Sequence, residues 1–317
     1  MLAVTGATGQ VGGRVAVRLA KLGLEQRLVV RDTTRAPDLP GAEVVQASSY
    51  SNAAAMGRAL TGVDTLFLVS AHDRMGVTHR SAMEKIGVPS YDRVQEQVTA
   101  VAAAAAVGVQ RIVYLSCMGA AEDATFVLSH DHFHTEEYIR AIGLPFTFLR
   151  MSLYTDRVPH HISDDGVIRG PGGEGRAAWV TRDDLADVAV AALTQSGHEG
   201  CTYDVTGPEA LTIAESAERL SLVTGRNISY QMQTPHEART LRTTSGLDKF
   251  EAARQAATGT GLSDYDTEVW VSHFAQIANG ELATVSDTVP RLTGHEAQSL
   301  ADYLHTHPES YQHLLTS

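Results

Sequence analysis

Apolar residues in the first half of this chain alternate between short continuous runs and stripes of helical period. The run Met1–Val4 predicts a strand. The segment after Val11 predicts an amphipathic helix, because its apolar residues recur every three or four positions with basic residues opposite. The run Asp64–Ser70 is apolar at its centre, which is typical of a strand buried on both faces of a parallel sheet. Alternation of this kind as far as residue 150 predicts right-handed crossovers and a doubly wound parallel sheet.

The other predicted elements share one of these two patterns and are bounded by glycine, proline or small polar residues. The strands are Arg27–Val30, Ala42–Ala47, Gln110–Leu115, Phe146–Arg150 and Thr202–Thr206. The helices are Ser51–Leu60, Tyr91–Val107, Phe133–Ile142, Asp183–Leu193, Thr212–Thr224, Asp264–Asn279 and Gly294–Leu304. The segment His72–Tyr91 is less regular, and Gly166–Gly175 is rich in turn residues. We therefore predict an α/β fold with a core at residues 1–150 and a smaller C-terminal lobe at residues 151–317, which supplies the last strands of the core.

Glycine recurs at every third position between the first strand and the first helix, in Val4-Thr5-Gly6-Ala7-Thr8-Gly9-Gln10-Val11-Gly12. Gly6 permits a tight turn, Gly9 lets the backbone approach a pyrophosphate, and Gly12 lets helix and strand pack closely. The N–H groups that begin the helix would then face the phosphates. Such a triplet can also be an ordinary glycine-rich turn. Because a strand precedes it, a helix follows it and a second strand comes at βαβ distance, we interpret it as a dinucleotide site.

The residues that close the second strand bear on which dinucleotide binds. NAD sites place a carboxylate at this position for the ribose hydroxyls, whereas NADP sites place a cation for the 2′-phosphate. Arg31 comes first and Arg35 four residues later, so that two guanidinium groups could hold one phosphate. Asp32 is the competing signal, and Arg31 could also be a solvated loop charge. We predict that NADP(H) is favoured over NAD(H).

The composition of the chain indicates its cellular compartment and excludes some classes of binding partner. The 317 residues carry a net charge of −12, which argues against a nucleic-acid partner because phosphate binding needs a basic patch. The longest apolar stretch, Val98–Val107, is too short to span a bilayer, and no signal peptide is evident. Two cysteines, Cys117 and Cys201, fit a reducing compartment better than a disulfide scaffold. We expect a cytoplasmic protein with a small-molecule substrate and no membrane partner, and we keep a homodimer as the assembly to test.

Further segments make the chain resemble a known family. These segments are Val30-Arg31-Asp32, Tyr114-Leu115-Ser116, His132-Phe133-His134-Thr135-Glu136-Glu137, Gly143-Leu144-Pro145-Phe146-Thr147, Leu149-Arg150 with Tyr154, and Leu292-Thr293-Gly294. With the glycine turn, they make the chain similar to the NmrA-like atypical short-chain dehydrogenases/reductases. The resemblance covers nearly the whole chain and is nearest to the branch of NAD(P)H:quinone oxidoreductases and triphenylmethane reductases. After Leu149-Arg150 the sequence departs from that branch, which leaves the substrate open.

The resemblance implies a Rossmann fold and assigns the cofactor contacts. Ligands of doubly wound sheets lie off the carboxyl ends of the strands. The residues that this position and the resemblance assign to the cofactor are Gly6, Thr8, Gly9, Gln10, Val11, Gly12, Arg31, Ser48, Ser70, Ser116 and His132. By the resemblance, the pyrophosphate would be held by Gly6, Thr8, Gly9, Gln10 and Val11. Arg31 would hold the 2′-phosphate, and Ser70 and Ser116 the middle of the cofactor.

Candidate catalytic residues are harder to find. Classical members of the wider superfamily use Tyr-x-x-x-Lys as a proton donor. None of the three lysines, Lys21, Lys85 and Lys249, has a tyrosine four residues before it, which excludes that motif. We therefore name His132 as the first candidate, expected just before a helix, and Tyr154 as the second. The alternatives are a histidine that only packs at a helix start and a tyrosine that only lines the pocket.

The spacing of His130, His132 and His134 also raises the question of a metal site. On a helix, residues two positions apart point away from each other, so we expect no metal here. The function predicted from the sequence is therefore an NAD(P)H-dependent oxidoreductase that reduces a small, flat, electron-poor substrate such as a quinone or a dye. A non-catalytic NADP(H)-binding redox sensor of the NmrA type is the alternative. A sugar-nucleotide or isoflavone-type reaction is disfavoured by the missing Tyr/Lys pair.

Overall fold

The alternating strands and helices form one parallel sheet with helices on both faces in the computed structural model, which describes residues 1–70, 91–245 and 264–315. Among these residues, seven strands share the sheet in the order β3-β2-β1-β4-β5-β6-β9. Their bounds are β1 Leu2–Thr5, β2 Gln26–Val30, β3 Ala42–Gln46, β4 Thr65–Val69, β5 Arg111–Cys117, β6 Phe146–Met151 and β9 Cys201–Val205. The predicted doubly wound parallel sheet is confirmed.

The strand order reverses next to β1, which pairs with β2 on one side and with β4 on the other. Thr5 ties β1 to β4 with its side chain, since Oγ1 donates to the carbonyl of Phe67 at 3.1 Å and accepts from the N–H of Val69 at 2.9 Å. A crevice opens beyond the carboxyl ends of the strands where such an order reverses, and ligands bind there. The sheet therefore places the glycine turn after β1 at the usual ligand crevice.

The helices of the core cover the sheet on both sides. Their bounds are α1 Gln10–Lys21, α2 Ala53–Leu60, α3 Tyr91–Ala106, α4 Val127–Ala141 and α5 Arg182–Thr194. On one face, α1 and α5 bury apolar residues such as Val15, Leu19 and Leu185. On the other, α2, α3 and α4 bury Met56 and Ile139 together with much of the sheet. Removing this apolar surface from water is the main source of stability.

A third apolar core lies in the C-terminal part of the chain and contains Trp179, Phe274 and Leu304. The helices of this part are α6 Ile213–Thr224, α7 Pro235–Ser245, α8 Asp264–Ala278, α9 Thr288–Thr293, α10 Leu300–Thr306 and α11 Gln312–Leu315. Four short strands pair within it as β7 Val167–Gly170 with β11 Ser229–Met232, and β8 Arg176–Ala177 with β10 Leu211–Thr212. A 3₁₀ helix, Thr155–His161, leads from β6 into this part.

Several predicted boundaries need correction. The turn-rich interpretation of Gly166–Gly175 is wrong at its start, where β7 pairs with β11 about sixty residues later. The fourth core helix, α4, begins at Val127 and not at Phe133. Residues 71–90, which contain most of the irregular segment His72–Tyr91, lie outside the described residues. The division at residue 150 stays a prediction, and both α5 and β9, which complete the core, come from beyond it.

No helix within residues 1–70, 91–245 and 264–315 has the length and apolar character that crossing a membrane requires.

Candidate active site

The three glycines of the turn after β1 have separate structural roles. Gly6 has a φ of +65°, in the left-handed region that favours glycine, and its carbonyl accepts from the N–H of Gly9 at 2.8 Å. A Cβ atom on Gly12 would lie 2.4 Å from the carbonyl oxygen of Gly6 and 2.7 Å from that of Thr5. Only glycine at residue 12 therefore lets α1 approach β1 this closely.

Neither the backbone conformation at residue 9 nor the packing around it requires glycine. It is the N-cap of α1, with an extended backbone (φ −102°, ψ 179°) that any residue adopts. A Cβ atom there would meet, among the described residues, only the carbonyl oxygen of Gly6, at 3.2 Å. Because glycine has no side chain to cap the helix, the N–H groups of the first turn are left to an external acceptor. The start of α1 therefore presents N–H groups that no described side chain caps.

The other residues of the turn lie where a ligand at this helix end would meet backbone. Thr8, Gly9 and Gln10 are exposed, whereas the side chain of Val11 is buried in the core. Arg14 holds the Gln10 side chain by donating to its Oε1 at 2.8 Å. A cavity of about 300 Å³ opens beside this turn, lined by Ala7, Gly9, Gln10, Gly13, Arg14, Val17, Arg18 and Pro37.

The charged residues after β2 differ in the hydrogen bonds that their side chains make. The Asp32 carboxylate accepts from the N–H and Oγ1 of Thr34, at 3.0 and 2.7 Å, and thereby caps the 3₁₀ helix Thr33–Arg35. The Thr34 hydroxyl is the main cause that lowers the pKa of Asp32 below its ordinary value. Arg31 and Arg35 are exposed. Within the described part of the chain the Arg31 guanidinium makes no hydrogen bond or ion pair, so the cations and not the carboxylate are available to a ligand.

His132 lies inside α4 and not before it, which corrects its predicted location. It is 4% exposed and lies against the Tyr114 ring. Arg93 Nη2 lies 3.2 Å from its Nε2, and the Tyr114 hydroxyl lies 2.9 Å from its Nδ1. Burial, with smaller contributions from Arg93 and Arg150, holds the pKa of His132 well below its ordinary value, so the ring is neutral.

The hydrogen-bond partners of the neutral His132 ring determine which of its nitrogens carries the proton. A guanidinium can only donate, so Nε2 accepts from Arg93 and the ring proton must sit on Nδ1. Nδ1–H then donates to the Tyr114 oxygen, while the Tyr114 hydroxyl donates to Gln97 Oε1 at 2.9 Å. Gln97 in turn donates to Thr135 Oγ1 at 3.1 Å. His132 thus joins α3, β5 and α4 through a buried hydrogen-bond chain, and its catalytic role stays a prediction that this geometry does not favour.

Ser116 does not face the open end of the sheet. Strand β5 continues to Cys117, so Ser116 lies within it and is fully buried. Its Oγ donates to Glu136 Oε1 at 2.6 Å, on α4. Ser116 is therefore engaged in the packing of β5 against α4, and its predicted contact with the cofactor remains untested.

The remaining predicted residues lie near strand ends. Ser48 is exposed after β3, and Ser70, half-buried, follows β4. Tyr154 follows β6 and is half-buried, with the Arg182 guanidinium 3.7 Å from its ring centroid. Burial raises the pKa of Tyr154 to about 12, which makes its hydroxyl a weak proton donor at neutral pH.

His130, His132 and His134 all lie on α4, where alternate residues point in different directions. Among residues 1–70, 91–245 and 264–315, no group of three histidine, cysteine, aspartate or glutamate side chains could hold a metal ion.

A pair of histidines that the sequence analysis did not single out meets in the C-terminal part. The ring centroids of His161, in the 3₁₀ helix after β6, and His273, in α8, are 5.4 Å apart. Of the described residues, none is a hydrogen-bond partner of either nitrogen of His161 or of His273 Nε2, although these atoms are buried. No local sequence pattern indicated this pair, because His161 and His273 come together only in the folded chain.

Known proteins are similar to this chain over nearly its whole length. The model of a family described as NAD(P)H-binding matches residues 6–196. A (4-alkanoyl-5-oxo-2,5-dihydrofuran-3-yl)methyl phosphate reductase of Streptomyces griseus is 34% identical over 98% of this chain and 99% of its own. An NAD(P)H azoreductase of Xenophilus azovorans is 30% identical over 98% and 99% of the two chains.

Solved structures of NAD(P)H-dependent reductases are also similar to this chain. An NADPH-dependent quinone oxidoreductase of Escherichia coli complexed with NADPH has 28% identity, covers 99% of both chains and has a TM-score of 0.78. The Citrobacter sp. triphenylmethane reductase complexed with NADP(H) has 27% identity, covers 99% of this chain and 100% of its own, and has a TM-score of 0.76. The resemblance predicted from the sequence is confirmed.

Proposed function

Because this chain belongs to the NAD(P)H-binding family, we propose that it is an NAD(P)H-dependent oxidoreductase of small, flat, electron-poor substrates. The relatives are named as reductases of an oxo-dihydrofuran, of azo compounds and of quinones. Each of these groups is a conjugated multiple bond next to electronegative atoms and accepts a hydride readily. A quinone- or dye-like acceptor is thus the substrate class that we propose for this chain.

The observation that carries the proposal is the space in front of Gly9. No described side chain fills it, although the backbone of Gly9 would admit one, and the N–H groups at the start of α1, which no described side chain caps, border it. A pyrophosphate fits this donor set in size and in charge. The backbone N–H groups of Gln10 and Val11 would hold it, because that of Gly9 already donates to the Gly6 carbonyl, and bound NAD(P)H supplies a hydride.

NADP(H) is the cofactor that the charges after β2 favour. Asp32 already accepts two hydrogen bonds from Thr34 and caps its own loop, which leaves it less able to receive ribose hydroxyls. Arg31 and Arg35 are exposed on the same loop, and paired guanidinium groups are well suited to a 2′-phosphate. The exposed positions of both arginines support the preference predicted from the sequence.

Water is the proton source that we propose for the reduced product. Neither candidate donor is well prepared, since the His132 proton is engaged with Tyr114 and the pKa of Tyr154 is raised to about 12. Reduced quinones and dyes are protonated on exposed oxygen or nitrogen atoms, which exchange protons with water directly. The residues of the chain then act by binding and orienting the two reactants.

An acceptor panel tests this function. NADPH oxidation is followed with a quinone, an azo dye, a triphenylmethane dye and an unsaturated lactone, each with the wild type and with Gly9→Val. Turnover of at least one acceptor by the wild type, and its loss in the variant, is expected. Tight NADPH binding with no turnover of any acceptor would instead support the redox-sensor alternative.

A further inference from the structure

The His161–His273 pair lies beyond the same end of the sheet as the glycine turn. The 3₁₀ helix that carries His161 begins at Thr155, shortly after the carboxyl end of β6 at Met151. Helix α8, which carries His273, is joined to the start of α4, the helix that follows β5, because the N–H of Val127 donates to Ser272 Oγ at 3.3 Å. Met118, one residue past β5, shares an apolar core with Phe274. Both histidines are thus held off the carboxyl ends of β5 and β6.

Aromatic rings surround the pair. The Phe126 ring lies 5.9 Å from that of His273, edge to face, and the Phe274 ring lies 5.3 Å from that of His161. Trp270 lies 4.8 Å from Phe274. Ring surfaces of this kind accept a flat conjugated molecule through stacking and edge contacts.

The unpartnered nitrogens are the unusual feature. A neutral imidazole has one donor and one acceptor, and a buried polar atom without a partner is costly. Both nitrogens of His161 and Nε2 of His273 are buried without a partner in the described part of the chain. Burial is the main cause that lowers the pKa of both histidines, and Arg157 and Arg242 lower it further. Both rings are therefore neutral at physiological pH and lie in a positive field.

We propose that His161 and His273 form the oxygen-binding subsite for the substrate of the reductase proposed above. An imidazole N–H of the pair donates to a carbonyl oxygen of a flat conjugated acceptor, while the aromatic rings contact its faces and edges. Reduction of a quinone adds one hydride and one proton, and the carbonyl oxygen carries the negative charge before water protonates it. Donors and cations already in place beside that oxygen stabilise the charge as it develops, which replaces part of the role of the missing Tyr/Lys pair.

The test uses Trp270 as a reporter, because it is the tryptophan next to this cluster. In a Trp179→Phe background it is the remaining tryptophan of the chain. The quenching of its fluorescence is titrated with 2,3-dimethyl-1,4-naphthoquinone and with 2,3-dimethylnaphthalene, which has the same ring shape without the oxygens. NADP⁺ is present throughout, so that no turnover occurs.

Substitution of the pair should affect the two ligands differently. We expect His161→Leu and His273→Leu to raise the naphthoquinone Kd at least tenfold and to leave the naphthalene Kd within twofold. His161→Gln and His273→Gln, which keep an amide donor, should recover part of the affinity. The unfolding midpoint should not fall in the Leu variants, because unpartnered polar atoms are removed. His305→Leu, an exposed site on α10, is the matched control and should change neither ligand's Kd.

Two results would overturn the subsite. One is an unchanged naphthoquinone Kd in all four variants at the pair, and the other is an equal loss for both ligands, as expected of an apolar pocket wall. The outcome is separable from the proposed function. If quenching depends on the histidines but the wild type does not oxidise NADPH, the subsite stands and the reductase function is wrong. If the wild type oxidises NADPH but quenching does not depend on the histidines, the reductase function stands and the subsite is wrong.

Discussion

Arg150, near the end of β6, donates two hydrogen bonds to the fully buried carboxylate of Glu136 on α4, at 2.9 Å from Nε and 2.7 Å from Nη2. The same carboxylate accepts from Ser116 on β5 and from Arg140 one helical turn along. The hydrogen bonding of Arg150 to Glu136 is the largest cause that raises the pKa of Arg150. Two strands and a helix are therefore locked together at the sheet end where the site lies.

Removing the charge of Glu136 should destabilise the protein strongly. Glu136→Gln leaves a half-buried guanidinium without its counter-ion, and breaking a buried pair in this way costs about 3–5 kcal/mol in unfolding free energy. Urea unfolding at neutral pH measures the change. Glu137→Gln, at the exposed neighbouring position that pairs with Arg140, is the control and should cost less than about 1 kcal/mol. Equal costs for the two variants would show that the buried pair adds nothing beyond a surface pair.

Gly9→Val should separate cofactor binding from folding. The backbone of residue 9 is compatible with valine, and the nearest protein contact of a Cβ atom, at 3.2 Å, needs only a small adjustment. We expect near-native circular dichroism and a loss of NADPH affinity of about a hundredfold or more, because the branched side chain fills the pyrophosphate space. Gly12→Ala, by contrast, should disturb the fold itself, since its Cβ would lie 2.4 Å from a backbone oxygen. Normal NADPH binding by a folded Gly9→Val protein would refute the site.

Arg31→Ala should act on the cofactor preference alone. A guanidinium–phosphate hydrogen bond contributes about 1.5–3 kcal/mol, so NADPH affinity should fall at least about tenfold. NADH has no 2′-phosphate, and its affinity should stay nearly unchanged. Fluorescence titration of both cofactors with both proteins measures the difference. Parallel losses for NADPH and NADH would show that Arg31 does not contact the 2′-phosphate.

His132 should prove to be a stabilising residue and not a proton donor. His132→Ala removes one hydrogen bond each from Arg93, which keeps Asp131, and from Tyr114, which keeps Gln97; each hydrogen bond lost costs about 0.5–1.5 kcal/mol in unfolding free energy. The turnover rate per folded molecule should change little. Loss of a general acid would instead reduce turnover by about 10²–10⁴-fold with the fold intact, which would restore the catalytic prediction. His134→Ala, exposed on the same helix, is the control.

Acid should destabilise the protein through its buried histidines. The pKa values of His132, His161 and His273 are all lowered in the folded state, mainly by burial. The unfolded chain therefore binds more protons as the pH falls below about 6.5, so the stability that these residues provide is complete above that pH and is lost below it. Each histidine contributes a slope of about 1.4 kcal/mol per pH unit. Urea unfolding between about pH 7.5 and 5 measures the slope, which His132→Gln should reduce and which a pH-independent midpoint would contradict.

Local sequence patterns were sufficient for the sheet core and the glycine turn. Both depend on residues close together in the chain, such as the apolar centre of β4 and the spacing of Gly6, Gly9 and Gly12. The start of α4 was missed because Asp131, a polar residue on its inner face, is buried against partners from elsewhere in the chain. Hydropathy cannot distinguish a buried polar residue with partners from an exposed one.

Features that depend on contacts between distant segments of the chain also could not be predicted from the sequence. Strand β7 is stable because it pairs with β11, and four residues around Val167 carry no signal for that partner. The orientation of Ser116 toward Glu136 depends on how α4 packs on the sheet. His161 and His273 come from different elements, and each alone is an unremarkable histidine in an apolar environment.

Anaerobic mixing of the protein with excess NADPH and 2,3-dimethyl-1,4-naphthoquinone, followed by the absorbance of NADPH, shows whether the protein is a reductase. We expect many turnovers, with one NADPH consumed for each quinone reduced, a smaller kcat/KM with NADH, and no activity in Gly9→Val. Saturable NADPH binding without any loss of absorbance, for this quinone and for every acceptor in the panel, would contradict the assignment of the protein as a reductase.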